Sequence, residues 1–163
     1  MESEPMITTE TAETRVIAPG AGESLRVMGD LITFKLRARD TGGAFTMFEG
    51  LVTPGAIEPI HFHPAEDETF YVLEGVLTFL VGEAWREAPA GTVVYVPRGV
   101  VHGFRNEATT AARVLCIDVP GGLHEGLFAA LSELQPPTSP EEGAALVALA
   151  RRHGTEILPP PAA

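Results

Sequence analysis

Three of the five histidines and one glutamate stand at spacings that suit a cation. In His61-Phe62-His63 a strand would send both imidazoles to one face, ~7 Å apart along the chain, with Phe62 on the other. Glu68 follows the polar corner Pro64-Ala65-Glu66-Asp67, where a bend can swing its carboxylate beside the two rings. His102 comes much later, after the turn Pro97-Arg98-Gly99, which can launch a strand that lays it across the same pocket. Three neutral imidazoles and one carboxylate suit a divalent first-row ion (Mn, Fe, Co, Ni, Cu or Zn), and the donor set alone does not choose among them. Four protein ligands on an octahedral ion leave room for a chelating substrate, or for substrate and O₂.

Other reactive side chains lack this pattern. His124 near one helix start and His153 at another helix end are expected to be solvated, the latter favoured there by the helix dipole. Glu66 and Asp67 read as a solvated corner, and Arg98 as a partner in a surface ion pair. Trp85 is expected to cover a hairpin turn or meet a partner. Cys116 is the single cysteine, which excludes an internal disulfide and a thiolate cluster. Inside Val114-Leu115-Cys116-Ile117 it reads as a small hydrophobe.

The elements that must position the four donors are short strands. Leu31 to Arg37 alternates polar and apolar residues, and Gly42-Gly43 turns the chain into Ala44–Thr53. Further runs are Thr69–Leu73, Val76–Val81, Thr92–Val96, Val100–Phe104 and Ala112–Val119, each closed by a turn. Such strands, near-regularly spaced and without helices between them, predict an all-β antiparallel sandwich or barrel. After Pro120-Gly121-Gly122 the period changes. Leu123, Leu127, Phe128, Leu131 and Leu134 predict a short amphipathic helix that Gln135-Pro136-Pro137 ends. Ser139-Pro140-Glu141-Glu142 starts a second helix, running to about His153 with Gly154 as its stop. The expected organisation is a tail over 1–24, a β-barrel over 25–119 and a helical extension over 120–163.

The chain has 163 residues and a formal net charge of -11, with one lysine and ten scattered arginines. This balance excludes a broad basic face for nucleic acid or anionic membrane. No apolar run approaches the ~18 residues of a membrane span. The acidic start Met1-Glu2-Ser3-Glu4 has no apolar signal segment, so a cytoplasmic location is the expectation.

Ten residues in two blocks now carry a resemblance: Gly55, His61, His63, Glu68 and Gly75, then Gly91, Pro97, Gly99, His102 and Asn106. They resemble the paired motifs of the cupin superfamily at every signature position. The short spacing between the blocks is similar to that of compact single-domain bacterial members. The resemblance implies a double-stranded β-helix of the jelly-roll type, with a metal held by His61, His63, Glu68 and His102. The two-helix layout after the barrel is similar to quercetinase-like monocupins. That likeness implies a metal-dependent dioxygenase acting on a small enolic or phenolic compound, with Glu68 both ligand and general base. Phe70, Val72 and Phe104 share parity with Glu68 and His102 and are pocket candidates. The alternatives are a non-oxygenase cupin (isomerase, decarboxylase or cyclase) and a non-catalytic small-molecule binder. Open sheet edges and apolar outer positions suggest a homodimer, to which the 1–24 tail could lend a strand.

Overall fold

Inward apolar side chains at every second position organise the chain into two facing sheets. A computed structural model describes residues 14–159. The strands are β1 Glu23–Val27, β2 Asp30–Leu36, β3 Thr46–Val52, β4 His61–Phe62, β5 Asp67–Glu74, β6 Val76–Val81, β7 Ala84–Pro89, β8 Val93–Val96, β9 Phe104–Arg105, β10 Ala112–Val119 and β11 Glu156–Ile157. Three helices accompany them: a single turn α1 Ala38–Thr41, then α2 Leu123–Ser132 and α3 Pro140–Arg152. Residues 1–13 of the expected tail and 160–163 of the expected extension lie outside the described residues.

One sheet runs β1-β2-β3-β10-β5-β8, and the facing one runs β7-β6-β9. Isolated bridges Ile57↔Arg105 and His61↔His102 carry the second layer on from β9 to β4, which pairs with β11. All strand pairings are antiparallel. This is the expected double-stranded β-helix of the jelly-roll type. Ile32 and Phe34, Phe48 and Val52, Phe70 and Val72, Leu77 and Phe79, Val114 and Cys116 fill the space between the layers. Period two explains each pair, since only alternate residues of a strand face inward.

The helices close one mouth of the barrel. Glu125 of α2 anchors its helix by accepting from the Ala38 amide (2.6 Å) and the Thr46 hydroxyl (2.7 Å). Phe128 of the same helix packs edge-on against Phe48, centroids 5.2 Å apart. For α3 the sequence signals hold: Ser139 Oγ accepts from the Glu142 amide, and Pro140 occupies the first turn. The Glu142 carboxylate reaches back to the Thr138 amide and hydroxyl.

Three expectations need correcting. The Ala84–Pro89 stretch around Trp85 is a full strand, and Trp85 stacks beneath the Arg105 guanidinium at 4.2 Å. Helix α1 interrupts strands that were expected to follow one another directly. Strand order in Val100–Phe104 is confined to a bridge at His102 and to β9. Among the described residues no helix is long and apolar enough to cross a membrane.

Candidate metal centre

The backbone pairs His61 with His102 directly: each donates its amide to the other's carbonyl at 2.9 Å. Directly opposed residues in antiparallel strands share a face, so this pairing alone puts both rings inside. His63 lies two residues on from His61, on the same face. Its carbonyl accepts from the Gly99 amide at 2.8 Å, which pins the Pro97-Arg98-Gly99 turn beside it. Arg98 locks that turn to the start of β5 through a two-pronged contact with Asp67, Nε–Oδ1 3.0 Å and Nη2–Oδ2 2.8 Å. One residue further, Glu68 projects inward. Asn106 ties the far ends of both blocks together, with its Nδ2 donating to the Val52 and Thr110 carbonyls and its backbone paired to Gly55 and Ala56.

The result brings together all four expected donors. His61 Nε2 lies 3.0 Å from His63 Nε2, and Glu68 Oε2 lies 3.0 Å from His102 Nε2 and 3.4 Å from His63 Nε2. All four ligand atoms fall within 4.8 Å of one another, and all four residues are buried.

The donor set fits a cation. His61 donates Nδ1–H to the Pro59 carbonyl (2.7 Å), and His102 does the same to Val100 (2.9 Å). A neutral ring that donates from Nδ1 presents a lone pair at Nε2. His61 thus offers a free Nε2 lone pair, while His102 Nε2 is paired with the Glu68 carboxylate, a proton-linked contact that a shared cation can replace. Burial, then the neighbouring His102 charge, pushes His61 down to about 3, so its ring is neutral. Burial opposes charge on Glu68, but hydrogen bonds from His102 and His63 hold it well below the usual carboxylate range. Burial also works against a proton on His102, and the Glu68 hydrogen bond and charge overcome it and raise its pKa.

A cavity of about 470 Å³ opens from this cluster between the sheets and the helices. It is mostly apolar, walled by Ile32, Phe48, Phe70, Phe104, Val114 and Leu131, and His61 and Glu68 open into it. Phe70 and Phe104 line the cavity. Val72 does not: it is fully buried in the core behind.

Two other expectations fail. His124 is 5% exposed and Glu66 1%, where both were expected in solvent. Helix α2 folds back over the barrel mouth and covers them. His124 Nδ1 lies 2.9 Å from Asp118 Oδ2 and 3.6 Å from Glu66 Oε2, while its ring stacks on Phe128 and meets His63 edge-on. Burial pushes Asp118 up, and Glu66 to about 8, yet both carboxyls draw a proton onto His124, whose pKa rises to about 10 against its own burial. With two carboxyls converging on one ring nitrogen, His124 holds the cation. The signal for this was present: Asp118 shares parity with Val114 and Cys116, so an inward carboxylate needed a buried partner. His153 is half-buried and caps α3. Glu58 also lines the cavity, and nothing in its spacing had marked it.

Comparison with known proteins agrees with this geometry. Residues 48–118 match the family described as Cupin domain. Quercetin 2,3-dioxygenase of Bacillus subtilis is 28% identical over 118 residues, 72% of this chain and 34% of that one. An uncharacterized protein of Methanocaldococcus jannaschii is 26% identical over 80 residues, 49% of this chain and 64% of that one. The chain thus spans less than two thirds of either relative. The crystal structure of the polyketide cyclase RemF from Streptomyces resistomycificus superposes with a TM-score of 0.58 at 23% identity, covering 66% of this chain and 80% of that one.

Proposed function

Because this chain carries a cupin domain, we propose that it is a metal-dependent enzyme, a quercetinase-like dioxygenase acting on a small enolic or phenolic compound. The observation that carries this reading is the position of the four-donor cluster beside a mostly apolar cavity into which His61 and Glu68 open. The cavity volume of about 470 Å³ suits a small organic ligand. The similarity to a quercetin dioxygenase supports the choice of chemistry.

In this reading His61, His63, Glu68 and His102 hold one divalent ion, which supplies Lewis acidity, a template for chelating oxygens and, where redox-active, a path for electrons to O₂. The protein's own groups do the rest. Glu68 opens to the cavity and accepts the proton of a ligand hydroxyl. Phe70 and Phe104 hold the ring and exclude water, and the Asp118–His124–Glu66 cluster fixes the His63 ring from behind.

A non-oxygenase reaction on the same donors is the second reading. It is favoured by the two further proton-handling side chains on the cavity wall, Glu58 and His124. Metal analysis of the freshly purified protein, followed by turnover of a flavonol and dihydroxy-aromatic panel under ¹⁸O₂, separates the two. The dioxygenase reading expects O₂ uptake with both labelled atoms in product. Product formed without O₂ consumption transfers the assignment to the second reading.

A further inference from the structure

Two carboxyl side chains besides Glu68 line the cavity, Asp30 and Glu58. Asp30 is satisfied: its Oδ1 accepts from the amide and the hydroxyl of Thr53, both at 2.8 Å. Glu58 is different. Its Oε2 is shut from solvent and has no hydrogen-bond partner among the described residues. Its main chain is held firmly, the amide donating to the Phe104 carbonyl at 2.9 Å, so the side chain starts from a fixed point on the cavity wall. The same short segment carries Pro59, whose carbonyl orients His61. Glu58 is thus built into the frame of the metal cluster without belonging to it.

A buried carboxyl oxygen left without a partner is destabilising, and an apolar side chain of similar shape would avoid the penalty. The half-buried Glu58 side chain has no hydrogen bond to Oε2 among the described residues to offset that penalty. Burial, then the charge of Glu68, pushes its pKa up to about 8. Around neutral pH it is therefore largely the acid, able to donate one hydrogen bond and accept others. A polar group of this kind on an apolar wall fixes a ligand's orientation.

We propose that Glu58 is the cavity's second polar contact, hydrogen-bonding a hydroxyl or enol oxygen of a ligand whose other oxygens reach the His61–His63–Glu68–His102 cluster. This rests on the enol or phenol reading above and narrows it. The ligand is an apolar ring framework with two separate oxygen sites, a chelating pair at one end and a further hydroxyl remote from it. A ligand with the chelating pair alone leaves Glu58 unpaired and binds more weakly.

The test uses zinc-loaded full-length protein and two flavonols in isothermal titration. 3-Hydroxyflavone carries only the chelating oxygens, and quercetin adds remote hydroxyls. Wild type is expected to bind quercetin at least about tenfold more tightly, the size of one good hydrogen bond to such a group. Glu58→Leu is expected to abolish that preference while leaving the 3-hydroxyflavone affinity and one zinc per chain intact. Glu58→Gln, which keeps a donor and an acceptor, retains part of it. Without ligand, Glu58→Leu is expected to melt at a higher temperature than wild type at pH 8. Equal binding of the two flavonols by wild type, or a preference that survives Glu58→Leu, overturns the role of Glu58 alone. A Glu58→Leu protein that melts lower and loses zinc shows a structural residue and overturns it too. Wild type that holds zinc and binds neither flavonol overturns the phenolic reading, and this inference with it.

Discussion

His102 shows how one residue ties main-chain pairing to chemistry. Its amide and carbonyl both pair with His61, its Nδ1 is turned to Val100, and its Nε2 meets Glu68. Removing this ring leaves the other three donors in place but opens one side of the cluster. His102→Ala is expected to lower metal retention after dialysis by at least about tenfold, measured by elemental analysis, with the far-ultraviolet spectrum unchanged. A variant that keeps a full equivalent of metal would remove His102 from the ligand set. The raised pKa of His102 adds a second consequence. Below that pKa the metal-free ring carries a proton that must leave when an ion binds, so metal affinity rises with pH across that range. Titrating metal in buffers of different ionisation enthalpy should reveal proton release on binding. Release of none at pH 6.5 or below contradicts the Glu68–His102 pairing.

At the scale of elements, the contact of α2 with the barrel rests on the Glu125 anchor, one buried charge pair and one aromatic cluster. Asp118 faces inward from the end of β10, and His124 reaches it from the first turn of α2. Breaking a buried pair by removing one partner leaves an uncompensated charge and costs about 3–5 kcal/mol. Asp118→Ala is expected to lose stability of that order in urea unfolding, and to bind a hydrophobic dye as α2 lifts from the cavity mouth. A loss below about 1 kcal/mol would mean that Glu66 alone satisfies His124. These elements also mark the boundary of what the residues reveal in advance. The inward row of β2 is legible because polar and apolar residues alternate there, whereas β3, β5 and β10 are legible as short runs of strand-forming residues closed by turns. So are the ten motif positions, whose spacing is set by strand pairing and turn geometry. Strand β7 is not legible: Arg86 and Glu87 are exposed on opposite faces, since this edge strand has neighbours on one side only. His124 and Glu66 were misjudged because their burial depends on where α2 folds back, a long-range event that no local pattern encodes. Glu58 went unnoticed for a related reason, since only the closed cavity distinguishes it from a surface carboxylate.

Over the whole molecule, one surface and one titration follow from the fold. Tyr71 pairs across from Val93, and Tyr95 lies two residues further along the same face of edge strand β8. All three are exposed, 42%, 61% and 60% respectively, and form an apolar row beside an open edge. Two copies meeting there would cover it. Sedimentation at micromolar concentration is expected to give a dimer for wild type and a monomer for Tyr95→Glu, and identical behaviour of the two removes this face from the interface.

The titration concerns the metal-free protein. Glu58 and Glu66 rise from 4.5 to about 8 on folding, so ionising them in the native state is penalised from pH 4.5 upward, and the penalty is complete by about pH 8. His124 rises from 6.5 to about 10, so the stability it confers is fully present below 6.5 and is lost as pH climbs through 10. These groups all make the native state weaker toward alkali. Two others act oppositely. His61 falls from 6.5 to about 3, so keeping it neutral costs stability as pH drops below 6.5. Glu68, held well below 4.5, loses its contribution in acid beneath that value. Between 4.5 and 6.5 two glutamates outweigh one histidine, and above 6.5 nothing opposes the decline. The urea midpoint of chelator-treated protein is therefore expected to be highest on the acid side of neutrality and to fall steadily from pH 6.5 to pH 9. Replacing Glu58 by Leu should flatten the part of that slope below pH 8 and leave the rest. A midpoint that rises between pH 6.5 and pH 9 would show that these buried carboxyls already have partners in the native protein.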